Sequence, residues 1–233
     1  MNLLLFAVLL VSGLALAGCK RQAEVDAQSA SHARDAGPVL PGPVRHVVAL
    51  GDSLFAGYGL RPTEAYPVRL EAALRARGIN VRITNAGVSG DTTADGLRRL
   101  KFTLDGQPAR PDLVLISLGG NDMLRGLPPA QSRDNLEAIM AELGRRQIPV
   151  LLMGMLTPPN MGRDYARAFD PIFPALARKH HAGLVPFFLT AVIDHPELRQ
   201  ADRMHPTAPG VEAIVKATQD AVVQALASKP ATD

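Results

Sequence analysis

Short strand-like runs alternate with helix-length stretches from about residue 44 to near the end of the chain. That alternation constrains the fold more than any other feature. The strand-like runs cover residues 47–50, 81–84, 113–118, 150–155 and 183–187. Most are apolar without alternation, as strands read when both of their faces are buried. Helices are expected over 64–77, from just after Thr92, and over 130–146, 164–180 and 209–226. The first stops at Gly78, a residue suited to the left-handed position that follows a helix. Leu136, Ile139, Met140 and Leu143 share one face of the third, and Val211, Ile214, Val215, Val222 and Leu226 stripe the last. Strands alternating with helices imply an α/β domain with a parallel sheet covered on both faces. Residues 44–233 suffice for one such domain, and no internal repeat divides them.

In a parallel sheet the C-terminal strand ends lie along one edge, where such folds place their ligands. Four loops that reach this edge are chemically unusual. The first run passes straight into Gly51-Asp52-Ser53-Leu54. Asn85-Ala86-Gly87-Val88-Ser89-Gly90-Asp91 follows the second, and Gly119-Gly120-Asn121-Asp122 the third. Asp202-Arg203-Met204-His205-Pro206 precedes the last helix. Taken alone, each has an ordinary reading as a polar turn, a cap or a helix opening. Together they supply the parts of an acyl-transfer site. A serine hydroxyl needs a base to become a nucleophile. His205 is the candidate base for Ser53, and Asp202, three residues before it, is the candidate carboxylate that orients the imidazole. Pro206 biases His205 towards extended backbone. The oxyanion of a tetrahedral intermediate needs donors. The Ser53 N–H, the Gly90 N–H and the Asn121 side-chain amide are the candidates. His180 and His181 fall near a helix C-terminus, and they and His46 and His195 are read as structural.

Composition narrows the function classes. Hydrophobic residues make up 47% and charged residues 20%, as in ordinary globular chains. A net charge of +3, no basic run, no Trp and only three Tyr give no footprint for nucleic acid. One cysteine allows no internal disulfide, and metal-ligand spacing of the zinc type is missing. The expected chemistry needs neither metal nor organic cofactor, and a monomer is expected.

The first residues read as a targeting segment. Residues 3–11 are nearly all apolar, too short a run for a membrane span, and the segment ends in Leu16-Ala17-Gly18-Cys19. This resembles the lipobox of bacterial lipoproteins, although no Lys or Arg precedes the apolar run. The resemblance implies a signal peptide over 1–18 and a lipid on Cys19. It also implies, with Lys20 next, an outer-membrane anchor facing the periplasm; an ordinary secretory signal is the alternative. Residues 19–43, rich in Ala, Ser, Asp, Gly and Pro, then read as a flexible tether.

The four loops also carry a family resemblance. Gly51-Asp52-Ser53-Leu54, Gly90-Asp91-Thr92, Asn121 in Gly-Gly-Asn-Asp, and Asp202-x-x-His205-Pro206 are similar to the successive blocks of the SGNH hydrolases, also called GDSL esterases/lipases. Asn121 to Leu127 and Pro186-Phe187-Phe188 resemble the bacterial periplasmic acyl-thioesterase, lysophospholipase and arylesterase subgroup. The resemblance implies a three-layer α/β/α sandwich of flavodoxin-like order on a mostly parallel five-stranded sheet. It maps Ser53 to the nucleophile, Asp202 and His205 to the acid and base, and Ser53, Gly90 and Asn121 to the oxyanion hole, with Gly87 the lesser candidate for the glycine. The implied substrates are acyl esters or thioesters such as arylesters or lysophospholipids. Leu54, Met123, Leu124, Leu127, Met155, Leu156, Pro158 and Met161 are the candidate lining of an acyl groove, and the loop from Met123 to Pro129 a candidate cover. Deacetylation of O-acetylated envelope sugars and a non-catalytic, ligand-binding lipoprotein are the competing readings.

Overall fold

β1 (Arg45–Gly51) is central because nothing in its second half tolerates water: Val47 to Leu50 are buried on both faces. The computed structural model describes residues 40–227. The expected leader, the lipidation residue Cys19 and the tether up to residue 39 lie outside the described residues. Around β1 stand β2 (Val81–Gly87), β3 (Leu113–Ser117), β4 (Val150–Met153) and β5 (Gly183–Val185), in the order β2-β1-β3-β4-β5 with every pair parallel. β3 and β4 are buried at every position, as the unbroken apolar runs require.

The helices follow from that order. α1 (Ser53–Ala56) and α2 (Tyr66–Ala76) lead from β1 to β2, and α3 (Thr93–Asp105) crosses back to β3. α4 (Gly120–Leu124) and α5 (Pro129–Arg145) lead to β4. α6 (Arg163–Phe169) and α7 (Ile172–Lys179) lead to β5, and α8 (Ala208–Ala227) ends the fold. Right-handed crossovers that run one way from β1 and then the other put helices on opposite faces. Accordingly α2 packs with α8, whereas α5 packs with α3, α6 and α7. The result is a three-layer α/β/α sandwich.

Local chemistry sets the element ends. Gly78 has φ +81°, and the Gly78 and Ile79 N–H groups donate to the Arg75 and Leu74 carbonyls, closing α2. Thr92 and Asp95 form a reciprocal capping box at the start of α3. The helix expected over 164–180 is two helices instead. Pro171 has no N–H to donate, and its ring would meet the carbonyl four residues earlier, so α6 stops before it and α7 starts after it. β4 and β5 end sooner than the apolar runs, and just beyond them Gly154 still hydrogen-bonds Val185 and Phe188, so closely that a Cβ would sit 2.3 Å from the Pro186 carbonyl oxygen.

Register decides what meets at the C-terminal edge. Gly51 pairs with Gly87 on one side and Ser117 on the other. The loops after β1, β2 and β3 therefore leave the sheet at one level, where the strand order reverses. Among the described residues no helix is long and apolar enough to cross a membrane.

Candidate active site

Ser53 is the first residue of α1, two residues beyond the last hydrogen-bonded position of β1. The turn is tight because Asp52 caps it. Its carboxylate accepts from the Leu54 N–H at 3.0 Å, while its carbonyl accepts from the Phe55 and Ala56 N–H groups. Beneath α1, Phe55 stacks on Tyr66 with ring centroids 5.3 Å apart and meets Phe188 edge-on at 5.6 Å. This aromatic seat fixes a helix too short to hold itself.

The other side of the site is a folded-back loop. An antiparallel bridge joins Arg199 to Pro206, and the Gln200 N–H donates to the His205 carbonyl at 2.8 Å. Asp202 shapes the turn from inside: one carboxylate oxygen accepts the Met204 and His205 N–H groups at 2.8 and 3.0 Å. Its other oxygen lies 2.7 Å from His205 Nδ1, and His205 Nε2 lies 2.8 Å from Ser53 Oγ. Partial burial works against the Asp202 charge. The His205 imidazole and the two N–H groups outweigh it and bring the carboxyl to about 2. An ionised carboxylate, an imidazole and a hydroxyl in one hydrogen-bonded chain can move a proton off the hydroxyl.

Gly90 and Asn121 face Ser53 from the neighbouring loops. Gly90 has φ +88°, and a Cβ there would meet only Arg125 Nη2 at 3.6 Å, so backbone conformation and not space calls for glycine. Its loop is braced by two arginines. Arg125 donates to the Gly90 carbonyl, and Arg99 bridges the Asp91 carboxylate and the Gly51 carbonyl. The Ser53 and Gly90 N–H groups donate to no acceptor among the described residues. Gly87 differs: its N–H is held by the Asn85 side chain, and a Cβ would sit 2.3 Å from the Ala56 nitrogen. The Asn121 amide donates to the Asp91 carbonyl at 3.0 Å and more weakly to the Asp52 carboxylate at 3.3 Å. Asp52 is 2% exposed, and burial pushes its carboxyl up to about 6 against the pull of the Leu54 N–H and of His205.

These groups open onto a cavity of about 400 Å³ with mostly apolar walls. Leu54, Met123, Leu124, Met155, Leu156 and Pro158 line it. Leu127 and Met161 do not. The chain turns at Gly126, φ +64°, and the Leu127 carbonyl is drawn to the Tyr165 hydroxyl at 2.9 Å. Among the described residues no cluster of His, Cys, Asp or Glu is arranged to hold a metal ion.

A family model described as the GDSL-like lipase/acylhydrolase family matches residues 49–213. The chain belongs to this family. The arylesterase of Vibrio mimicus is 42% identical over 160 residues, covering 69% of this chain and 79% of that protein. Thioesterase 1/protease 1/lysophospholipase L1 of Escherichia coli strain K12 is 38% identical over 160 residues, covering 69% and 74%. The crystal structure of AlinE4, an SGNH-hydrolase family esterase, superposes with a TM-score of 0.68 at 61% identity, covering 81% of this chain and all of that one. This GDSL family member is a carboxylic ester hydrolase, and its parallel α/β sandwich is that of the SGNH hydrolases.

Several residues of the site have no sequence signature. The Tyr58 ring lies 4.6 Å from that of His205, centroid to centroid, and Tyr58 lines the cavity with Phe187, Leu189, Val192 and Ile193. Phe187 falls at the end of an expected strand and in a segment that carries the family resemblance, but neither tells a cavity wall from core. Asp122 was legible only as a turn residue. It is buried and accepts the Thr93 N–H and hydroxyl and the Ser132 hydroxyl, tying α3, α4 and α5 together behind Asn121.

Proposed function

We propose that this enzyme hydrolyses carboxylic esters, and thioesters, of apolar acyl chains through an acyl-enzyme on Ser53. One observation carries the reading: the unbroken chain from Asp202 through His205 to Ser53 Oγ, at 2.7 and 2.8 Å, opens onto an apolar cavity. Ser53 Oγ attacks the acyl carbonyl carbon as its proton passes to His205 Nε2. The carbonyl π pair moves to oxygen, and the Ser53 and Gly90 N–H groups receive the oxyanion. Asn121 joins them by exchanging its 3.3 Å bond to Asp52 for one to the oxyanion. Collapse breaks the bond to the leaving group, which takes the proton from Nε2. Water, deprotonated by Nε2, then attacks the acyl carbon and returns Ser53 with its proton. Asp202 stays ionised and holds the imidazole tautomer throughout.

The lining supports a substrate class. Leu54, Leu124, Leu156 and Met123 offer adaptable apolar contact to an acyl chain and no donor set for a sugar. The arylesterase and lysophospholipase relatives agree with that choice. Hydrolysis of p-nitrophenyl esters from acetate to palmitate, with Ser53→Ala beside the parent, tests it. A maximum at medium or long chains is expected, with kcat down by about 10⁴-fold or more in the variant. A strong preference for acetate would favour envelope sugar deacetylation instead. Turnover indifferent to Ser53 would remove the nucleophile assignment.

A further inference from the structure

The apolar cavity has one charged end. Arg199 and Arg203, both from the loop that carries His205, line it together with Tyr58 and Met204. Among the described residues the one carboxylate on the cavity wall is Asp52, and it is held by Leu54 and Asn121. Many arginines elsewhere on the fold are matched to acids, such as Arg77 to Asp220 and Arg82 to Glu71, while Arg110 and Arg125 donate to carbonyls. Among the described residues neither Arg199 nor Arg203 forms an ion pair. Arg199 spends one nitrogen on the Arg203 carbonyl, at 3.0 Å, while its Nε is buried with no partner. Glu197, two residues from Arg199, hydrogen-bonds His195 and feels the Arg199 charge only at longer range, without an ion-pair contact. Buried guanidinium N–H groups ordinarily find an acceptor.

Backbone conformation points the same way. Arg203 has φ +61°, a region that L side chains avoid and glycine enters freely. The turn between Asp202 and His205 needs that conformation, yet the position holds the largest basic side chain. Gln147 and His181 share this conformation away from the site, so at Arg203 it supports the reading only together with the cavity position and the missing ion pair.

The side of the site matters as well. His205 Nε2 protonates the leaving group in the reaction proposed above, so the leaving group departs past the His205 loop. We propose that Arg203, with Arg199 behind it, forms an anion-binding subsite for the leaving group. The preferred esters then join an apolar acyl chain to an alcohol, phenol or thiol bearing a carboxylate, sulfonate or phosphate. The proposal rests on the Ser53–His205 reading of the site. Planar guanidinium groups suit such oxyanions because two N–H donors can meet two oxygens.

The test compares matched substrates differing in leaving-group charge. 4-Octanoyloxybenzoate is paired with 4-octanoyloxybenzamide, and octanoyl-lysophosphatidylglycerol with monooctanoylglycerol, all below their micelle concentrations. The readout is the ratio of kcat/KM, charged over neutral, in the full-chain protein, Arg203→Gly and Arg203→Lys. Glycine suits the backbone at 203, so Arg203→Gly keeps the fold, which its melting temperature reports. The ratio is expected to fall about 5- to 20-fold in Arg203→Gly for at least one pair, largely through KM. Arg203→Lys should retain part of the preference, and added salt should lower the parent's ratio. A response of the aromatic pair alone identifies a small aromatic acid; one of the lipid pair identifies a phospholipid headgroup. An unchanged ratio in both pairs overturns the subsite. Turnover of the neutral esters that survives Ser53→Ala would instead overturn the site reading beneath it.

Discussion

At the scale of single residues the site separates chemistry from conformation. Ser53, Asp202 and His205 are recognisable because a hydroxyl, a carboxylate and an imidazole would carry their proposed roles in the side chain. Gly90, in the proposed oxyanion hole, would work through its backbone. Its φ of +88° aims the N–H, and a Cβ would meet nothing closer than 3.6 Å. Gly90→Ala should therefore fold, with about 1–2 kcal/mol lost to the left-handed conformation. Any relaxation of φ re-aims the N–H, and kcat on a p-nitrophenyl ester is expected to drop about 10²–10³-fold. Urea unfolding beside steady-state kinetics separates the two effects. A variant with full kcat would show that this N–H does not bind the oxyanion. The residues that reasoning from sequence did not find share a property. Tyr58, Val192 and Ile193 reach the cavity only because distant loops fold over the same edge, and no local spacing encodes that. Leu127 is the converse case. It sits in the right loop with the right chemistry, but Gly126 and the Tyr165 hydroxyl turn its backbone elsewhere.

At the scale of elements, apolar period and punctuation were legible and side-chain networks were not. The helix from 130 to 146 and the strands β1 and β3 follow from patterning to within a few residues. The stretch from 164 to 180 has helical periodicity throughout, and Pro171 still divides it. Here the missing donor overrides the apolar stripe. Asp122 shows what periodicity cannot report. Its carboxylate joins Thr93 at the start of α3 to Ser132 in α5, within 2.6–3.1 Å. Both partners are buried, so truncation leaves donors without acceptors. Asp122→Ala is expected to cost at least about 3 kcal/mol, and Asp122→Asn less, since one oxygen remains to accept. Because α4 also carries Asn121, kcat should fall with stability. A loss under about 1 kcal/mol in urea unfolding would mean that the three helix ends hold one another without this carboxylate.

At the scale of the whole molecule the parallel sheet follows from the alternation of elements. Its strand order does not, since several orders satisfy the same alternation; the family resemblance supplied it. That order places β1 at the reversal point and buries Asp52 beside Ser53, the proposed nucleophile. The consequence is a stability profile with two opposed limbs. Asp202 and Asp95 have carboxyls lowered to about 2, so the folded state holds their charge against protons that the unfolded chain accepts. Their contribution is present above about pH 4 and is lost as pH falls towards 2. Asp52 has the other sign. Its carboxyl is raised from 3.8 to about 6 by burial, with His205 pulling it down and Asp91 pushing it up. Between those values the folded protein keeps a proton that the unfolded chain releases. Raising the pH through that window therefore weakens the fold, by roughly 3 kcal/mol if the whole shift is expressed. Urea midpoints measured from pH 3 to 8 should pass through a maximum near pH 4 in the contribution of these groups. In Asp52→Asn the decline between pH 4 and 6 should flatten while the acid limb below pH 4 remains, because Asp202 and Asp95 are untouched. If the variant keeps the same decline, the burial of Asp52 is relieved by water or by a counter-charge in solution, and its proton is not held by the fold.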